Sequence, residues 1–158
     1  MKSIVITIAN YFIELAKKEG FKLKQFGLMK RVYITYGFYL ALYNESLLID
    51  NECVEAWENG PVIPSVYYAF RHNKGGNICC KSTLGDDTIQ DEKLKKIADM
   101  VWKRYHNLSD DELIKLLHRD GTPWSYSYKY LMNNKISDIY TKAYYRKVIN
   151  DILSNKQQ

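Results

Sequence analysis

The chain has little proline, little cysteine and no long apolar run. Three prolines and eight glycines in 158 residues leave room for uninterrupted helices and exclude a low-complexity segment rich in either. Three cysteines, Cys53, Cys79 and Cys80, make an odd count with two neighbours adjacent. A disulfide framework is thereby excluded, and a reducing compartment is expected. No apolar stretch reaches membrane-spanning length, and the opening MKSIVITIAN lacks a small-residue cleavage site, so a cytoplasmic protein without a membrane partner is expected. Like charges never run to five or six in a row. The net charge of +5 comes from 23 basic and 18 acidic residues that are scattered along the chain. This suits a solvated face and predicts at most weak, sequence-independent nucleic-acid binding.

Catalytic constellations are missing too. His118 has no paired serine or cysteine with a supporting acid, so a packing or capping role is expected of it rather than a general base. His72, Cys79 and Cys80 do not complete a tetrahedral metal site, and the cysteines are expected to be buried or half-buried structural residues. Asp86–Asp87 suits a turn, and Asp110–Asp111–Glu112 suits the first turn of a helix, where acids oppose the dipole. No EF-hand pattern is present. The expectation is a non-enzymatic protein without cofactor or metal.

What the chain does have is apolar surface and tyrosine. At 46% hydrophobic content a chain of this length builds a real core, burying ~70% of the surface its extended form exposes. The most constrained stretch is Glu55–Pro64, EAWENGPVIP. Gly60 takes a positive φ without a Cβ clash, and Pro61 fixes its own φ and restricts Gly60. Pro64 suits the first position of a helix over Ser65–Arg71, because it has no N–H to lose there. Trp57 is expected to anchor this reversal to the core, with its N–H finding a partner.

Just before it lies a helix with two apolar rows, Phe26, Met29, Tyr33, Tyr36, Leu40, Tyr43 and Leu28, Val32, Tyr39, Leu42. A helix apolar over most of its circumference is buried centrally. Lys30 and Arg31 sit on it. Either their stems lie on the core with the heads in water, or Lys30, Tyr33 and the Trp57 turn line a partner-binding groove.

Around this centre, Thr7 is expected to cap a helix Ile8–Glu19 that Gly20 ends. Leu47–Asp50 and Cys53–Trp57 read as short strands of a β-ribbon around Asn51–Glu52, with Asn77–Thr83 as a third strand. Asp91–Tyr105 reads as an amphipathic helix. Ser109 and Glu112 form a capping box that starts the next helix at Asp110, with Gly121 at its far end. Trp124–Tyr130 leads into a linker, and Thr141 is expected to cap a last helix. The fold class is mainly α with a small β-ribbon (α+β), one compact helical domain over residues 1–158 with 154–158 as a frayed tail.

LMKRVYITYGFYLALY followed by ECVEAWENGPVIPSVYYAF resembles the Panacea domain, the SocA-like family of phage-associated antitoxins. The family pattern falls on Leu28, Lys30, Val32 and Tyr33, then on Ala56, Trp57, Gly60, Pro61 and Val62. IANYFIELAKKEG and HRDGTPW are similar to the family's flanking pieces, so the resemblance runs over roughly residues 5–150. Tyr36 departs from it, standing where the family usually has glutamine, and so does Gln25. The resemblance implies an antitoxin that neutralises a cognate toxin, encoded beside it, by direct protein–protein contact. Its alternatives are an adaptor that delivers the toxin to a cellular protease and a DNA-binding regulator. Lys30, Tyr33, Tyr36, Trp57 and Trp124 are the candidate partner contacts. The first four belong to the central helix and turn, whose outward side, with Lys30 and Tyr36, is the expected contact surface, and Trp124 reads as core or groove wall. Gly60, Pro61 and Pro64 are the structural turn.

Overall fold

A computed structural model describes residues 1–49 and 51–156. Its fold is mainly α with a small antiparallel sheet. The helices are α1 (Ile4–Glu19), α2 (Gln25–Tyr43), α3 (Pro64–Phe70), α4 (Glu92–Tyr105), α5 (Asp110–His118), α6 (Pro123–Ser127) and α7 (Asp138–Lys156). The strands are β1 (Val54–Trp57), β2 (Gly60–Val62) and β3 (Asn134–Ile136).

Helix α2 is the axis of the molecule. Every residue from Gly27 to Ala41 is buried, as its two apolar rows predict. Helices α1, α4 and α7 pack around it. Gly37 sets the approach of α7: a Cβ there would stand 2.3 Å from ring carbons of Tyr145. On the opposite flank Trp102 of α4 stacks on Phe12 of α1, with ring centroids 5.7 Å apart, and donates its Nε1–H to Glu19 at 2.8 Å.

Several ends follow local chemistry. Gly20 closes α1 in the left-handed region at φ 66°. Pro64 occupies the first turn of α3, and both halves of the Ser109–Glu112 capping box form. Asp91 caps α4 by accepting from the Lys93 N–H.

Other expectations are corrected. Helix α1 starts a turn before Thr7, because the Ser3 hydroxyl accepts from the Ile6 N–H. The Thr7 hydroxyl is otherwise engaged, donating to the Ser3 carbonyl and accepting from the Asp86 N–H, both at 2.8 Å. Thr141 is a fully buried residue within α7 and not its cap. Helix α7 continues through Ser154–Lys156, where a frayed tail is expected; Gln157 and Gln158 lie outside the described residues.

The sheet differs as well. Its order is β2-β1-β3. The hairpin turns at Glu58–Asn59, between the Trp57↔Gly60 pair, and not at Asn51–Glu52. Leu47–Ile49 forms no strand, and Asp50 lies outside the described residues. The third strand comes from Asn134–Ile136, which pairs with β1, so the expected linker supplies it. Asn77–Thr83 is no strand of this sheet: it makes a single antiparallel bridge, Asn77 to Lys24, and its further bonds go to the helical body. Ile78 donates to the Leu23 carbonyl and Ser82 to Asn10 Oδ1, each at 2.8 Å. Cys79 and Cys80, expected to be at least half-buried, are exposed.

An aromatic cleft at the glycine–proline turn

The hairpin β1–β2 brings Gly60 and Pro61 against α2. Gly60 has φ +118°, and a Cβ on it would meet Lys30 Nζ and His118 Nε2, both at 3.4 Å. Glycine is required there by the backbone, since a φ of +118° lies where L side chains are strained; the space around it is close but not closed. The next residue fixes the lysine: Lys30 Nζ donates to the Pro61 carbonyl at 2.8 Å. Lys30 is only 1% exposed, its ammonium 4.9 Å from the centre of the Phe26 ring. No carboxylate pairs with it among the described residues. Burial therefore pulls its pKa down to about 7, since a charge out of water loses hydration.

Arg31 is equally buried but solved differently. One Nη donates to the carbonyls of Tyr105, His106 and Leu108, each at 3.0 Å. Arg31 thus collects the carbonyls at and just beyond the end of α4, a role that five fixed guanidinium donors suit better than an ammonium. Neither side chain sends its head to water, contrary to the simpler expectation for both.

Trp57 is half-buried, packed against the core without being enclosed in it. Its Nε1–H donates to Glu55 Oε2 at 2.7 Å, two residues back on the same strand, and its ring meets Tyr67 edge-on at 4.9 Å. The Trp57 carbonyl accepts from Trp124 Nε1 at 2.6 Å. Trp124 in turn stacks flat on His118, with centroids 3.8 Å apart and planes 2° from parallel, and on Tyr128 at 4.6 Å. Pro123 opens α6, which places this stack. His118 Nε2 is buried with no partner at hydrogen-bond geometry. Burial holds the ring below the ordinary histidine pKa; the adjacent Asn59 backbone opposes this and the Lys30 charge adds to it.

Between the first turns of α2 and the hairpin lies an open cleft of about 340 Å³, whose walls include Phe26, Met29, Trp57, Val62 and Tyr67, with Lys30 among its lining. Glu58 also lines it. A larger groove of about 620 Å³ runs between α5 and α7, lined by Arg104, Arg119, Lys147, Asp120 and Asp151 among others. It touches none of the turn residues.

Of the candidate contacts, the structure gathers Lys30, Trp57 and Trp124 around Gly60 and Pro61. It does not bring Tyr33 and Tyr36 there. Tyr33 is 1% exposed and meets Tyr145 edge-on at 6.1 Å. Tyr36 is fully buried, its hydroxyl donating to Asp138 Oδ1 at 2.6 Å and lying 3.3 Å from Ser46 Oγ. Its expected outward orientation is corrected: α7 covers that face. Tyr67 is the wall residue that sequence reasoning missed. Its signal was the Pro64 helix start, which places position 67 one turn into α3.

Residues 28–125 match the family described as antitoxin SocA-like, Panacea domain. The chain belongs to this family. The matched span begins within α2 and ends within α6, so the whole hairpin, Lys30, His118 and Trp124 fall inside it. Helix α1, strand β3 and helix α7 lie outside. Antitoxin SocA of Caulobacter vibrioides (strain NA1000 / CB15N) is 24% identical over 127 residues, which is 74% of this chain and 66% of that relative. The Panacea chain thus spans just under two thirds of the curated relative's length. No solved structure matches it. Among the described residues no helix is long and apolar enough to cross a membrane, and no three His, Cys, Asp or Glu side chains are grouped to hold a metal ion.

Proposed function

We propose that this chain is the antitoxin of a toxin–antitoxin pair and that it neutralises a protein toxin by direct contact at the Trp57 cleft. The observation that carries this reading is the convergence of the family's turn residues on one apolar, open cleft. Trp57 and Tyr67 stand half-buried on its walls, and half-exposed aromatics over a preformed hollow are what an interface core uses. Lys30, Gly60 and Pro61 serve the cleft by holding the hairpin rigid, which lowers the ordering cost of binding. The partner is a small protein encoded beside this one that arrests growth when expressed alone.

Co-expression tests it. This chain is expected to relieve the arrest and to co-purify with the neighbour. Trp57→Ala combined with Tyr67→Ala is expected to abolish both while circular dichroism stays unchanged. A folded double variant that still rescues growth and still co-purifies would place the contact elsewhere. A neighbour that is not toxic would remove the antitoxin reading itself.

A further inference from the structure

The segment from Lys74 to Asp91 is tied to the helical body at several points. Ile78 N–H reaches the Leu23 carbonyl, Lys81 Nζ lies 3.0 Å from Glu14 Oε2, and the Ser82 N–H is held by Asn10. Between these ties Cys79 and Cys80 are free and exposed, with their Sγ atoms 3.8 Å apart. Cys53, just before β1, is half-buried.

The geometry points to a dithiol chelating site at Cys79–Cys80, taking one trivalent, thiophilic centre such as an organoarsenical. A direct disulfide is poorly served here. Adjacent Cα atoms sit ~3.8 Å apart across a trans peptide, below the ~4.4 Å at which protein disulfides begin. The sulfurs would also have to close from 3.8 Å to about 2.05 Å. Such a bond is strained and easily reduced, so the pair persists as two thiols. A single atom bonded to both sulfurs spares them that closure. Zinc is excluded as the natural occupant because it wants four ligands. A trivalent centre already carrying one organic group needs only two, and soft thiolates suit it. The step balances without electron transfer. Two As–S bonds form, the As=O bond is lost, and the two thiol protons leave with that oxygen as water.

Phenylarsine oxide is the probe. The protein is reduced with a phosphine, never with a dithiol, and titrated while intact mass and circular dichroism are followed. One adduct per chain is expected, lighter by one water than the sum of its parts. Cys79→Ser and Cys80→Ser are each expected to weaken it at least ~100-fold, since the second sulfur binds intramolecularly. Cys53→Ser is expected to leave it unchanged. Dimercaptopropanol should release the adduct and an equal concentration of monothiol should not. No adduct, an adduct that persists in either serine variant, or release by the monothiol would overturn the assignment.

Discussion

The ring of Tyr145 occupies the space where any residue other than glycine at position 37 would carry its Cβ, 2.3 Å from two ring carbons. Both residues are buried, and Tyr145 is further fixed by Phe38 at 5.0 Å and Tyr144 at 5.1 Å. Gly37→Ala is therefore expected to destabilise the fold by about 1–3 kcal/mol, as overpacking does, despite alanine's better helix propensity. A urea midpoint equal to wild type would show that α7 can shift away from α2.

Trp57→Ala separates stability from binding. A fully buried tryptophan would cost about 3–5 kcal/mol. Trp57 is half-buried, against the core and the edge of Tyr67, so about 1–2 kcal/mol is expected. Binding to the toxin should fall by more, about 2 kcal/mol or ~30-fold, if Trp57 is a contact anchor. Urea unfolding and a titration calorimeter read the two numbers. A large stability loss with unchanged affinity would make Trp57 structural only.

Lys30 gives the fold a pH dependence with a definite sign. Its native pKa lies near 7, below the ~10.4 of an unfolded lysine. Between these values the unfolded chain holds a proton that the native chain does not, so stability rises with pH across that window. Below it both states are charged and the penalty is constant. Cys53 and the buried tyrosines, whose pKa values burial raises, act the opposite way near the upper end. The difference between wild type and Lys30→Met isolates the lysine. Wild type should gain on the variant from about pH 7 to 9; parallel curves would mean that the Lys30 proton is not perturbed.

Tyr36→Phe removes one hydroxyl from the junction of α2 and α7. It ends the bond to the Asp138 carboxylate, for which about 1.5–3 kcal/mol is expected, as for hydrogen bonds to charged groups. Toxin affinity should not change, since the ring faces inward. Weakened binding at full occupancy of the folded state would return Tyr36 to the contact surface.

The sequence by itself determined whatever rests on neighbours three or four residues apart. The stop at Gly20, the Pro64 start and the Ser109–Glu112 box could all be read directly, because a cap is satisfied within one turn of chain. The central burial of α2 was legible for the same reason, its two apolar rows being a property of the helix alone. The glycine–proline turn was legible too. Tertiary structure decided everything that needed a distant partner. The outward or inward sense of Tyr36 depends on Asp138, 102 residues away. The fate of Asn77–Thr83 depends on Asn10, 72 residues from Ser82, and the third strand is a segment recruited by β1. Trp57 finds its N–H partner on its own strand, at Glu55, while the extent of its burial was decided by what packs beside it. A side chain's periodicity states that it is apolar; only the packed neighbours decide which apolar face is covered and which is left as a cleft.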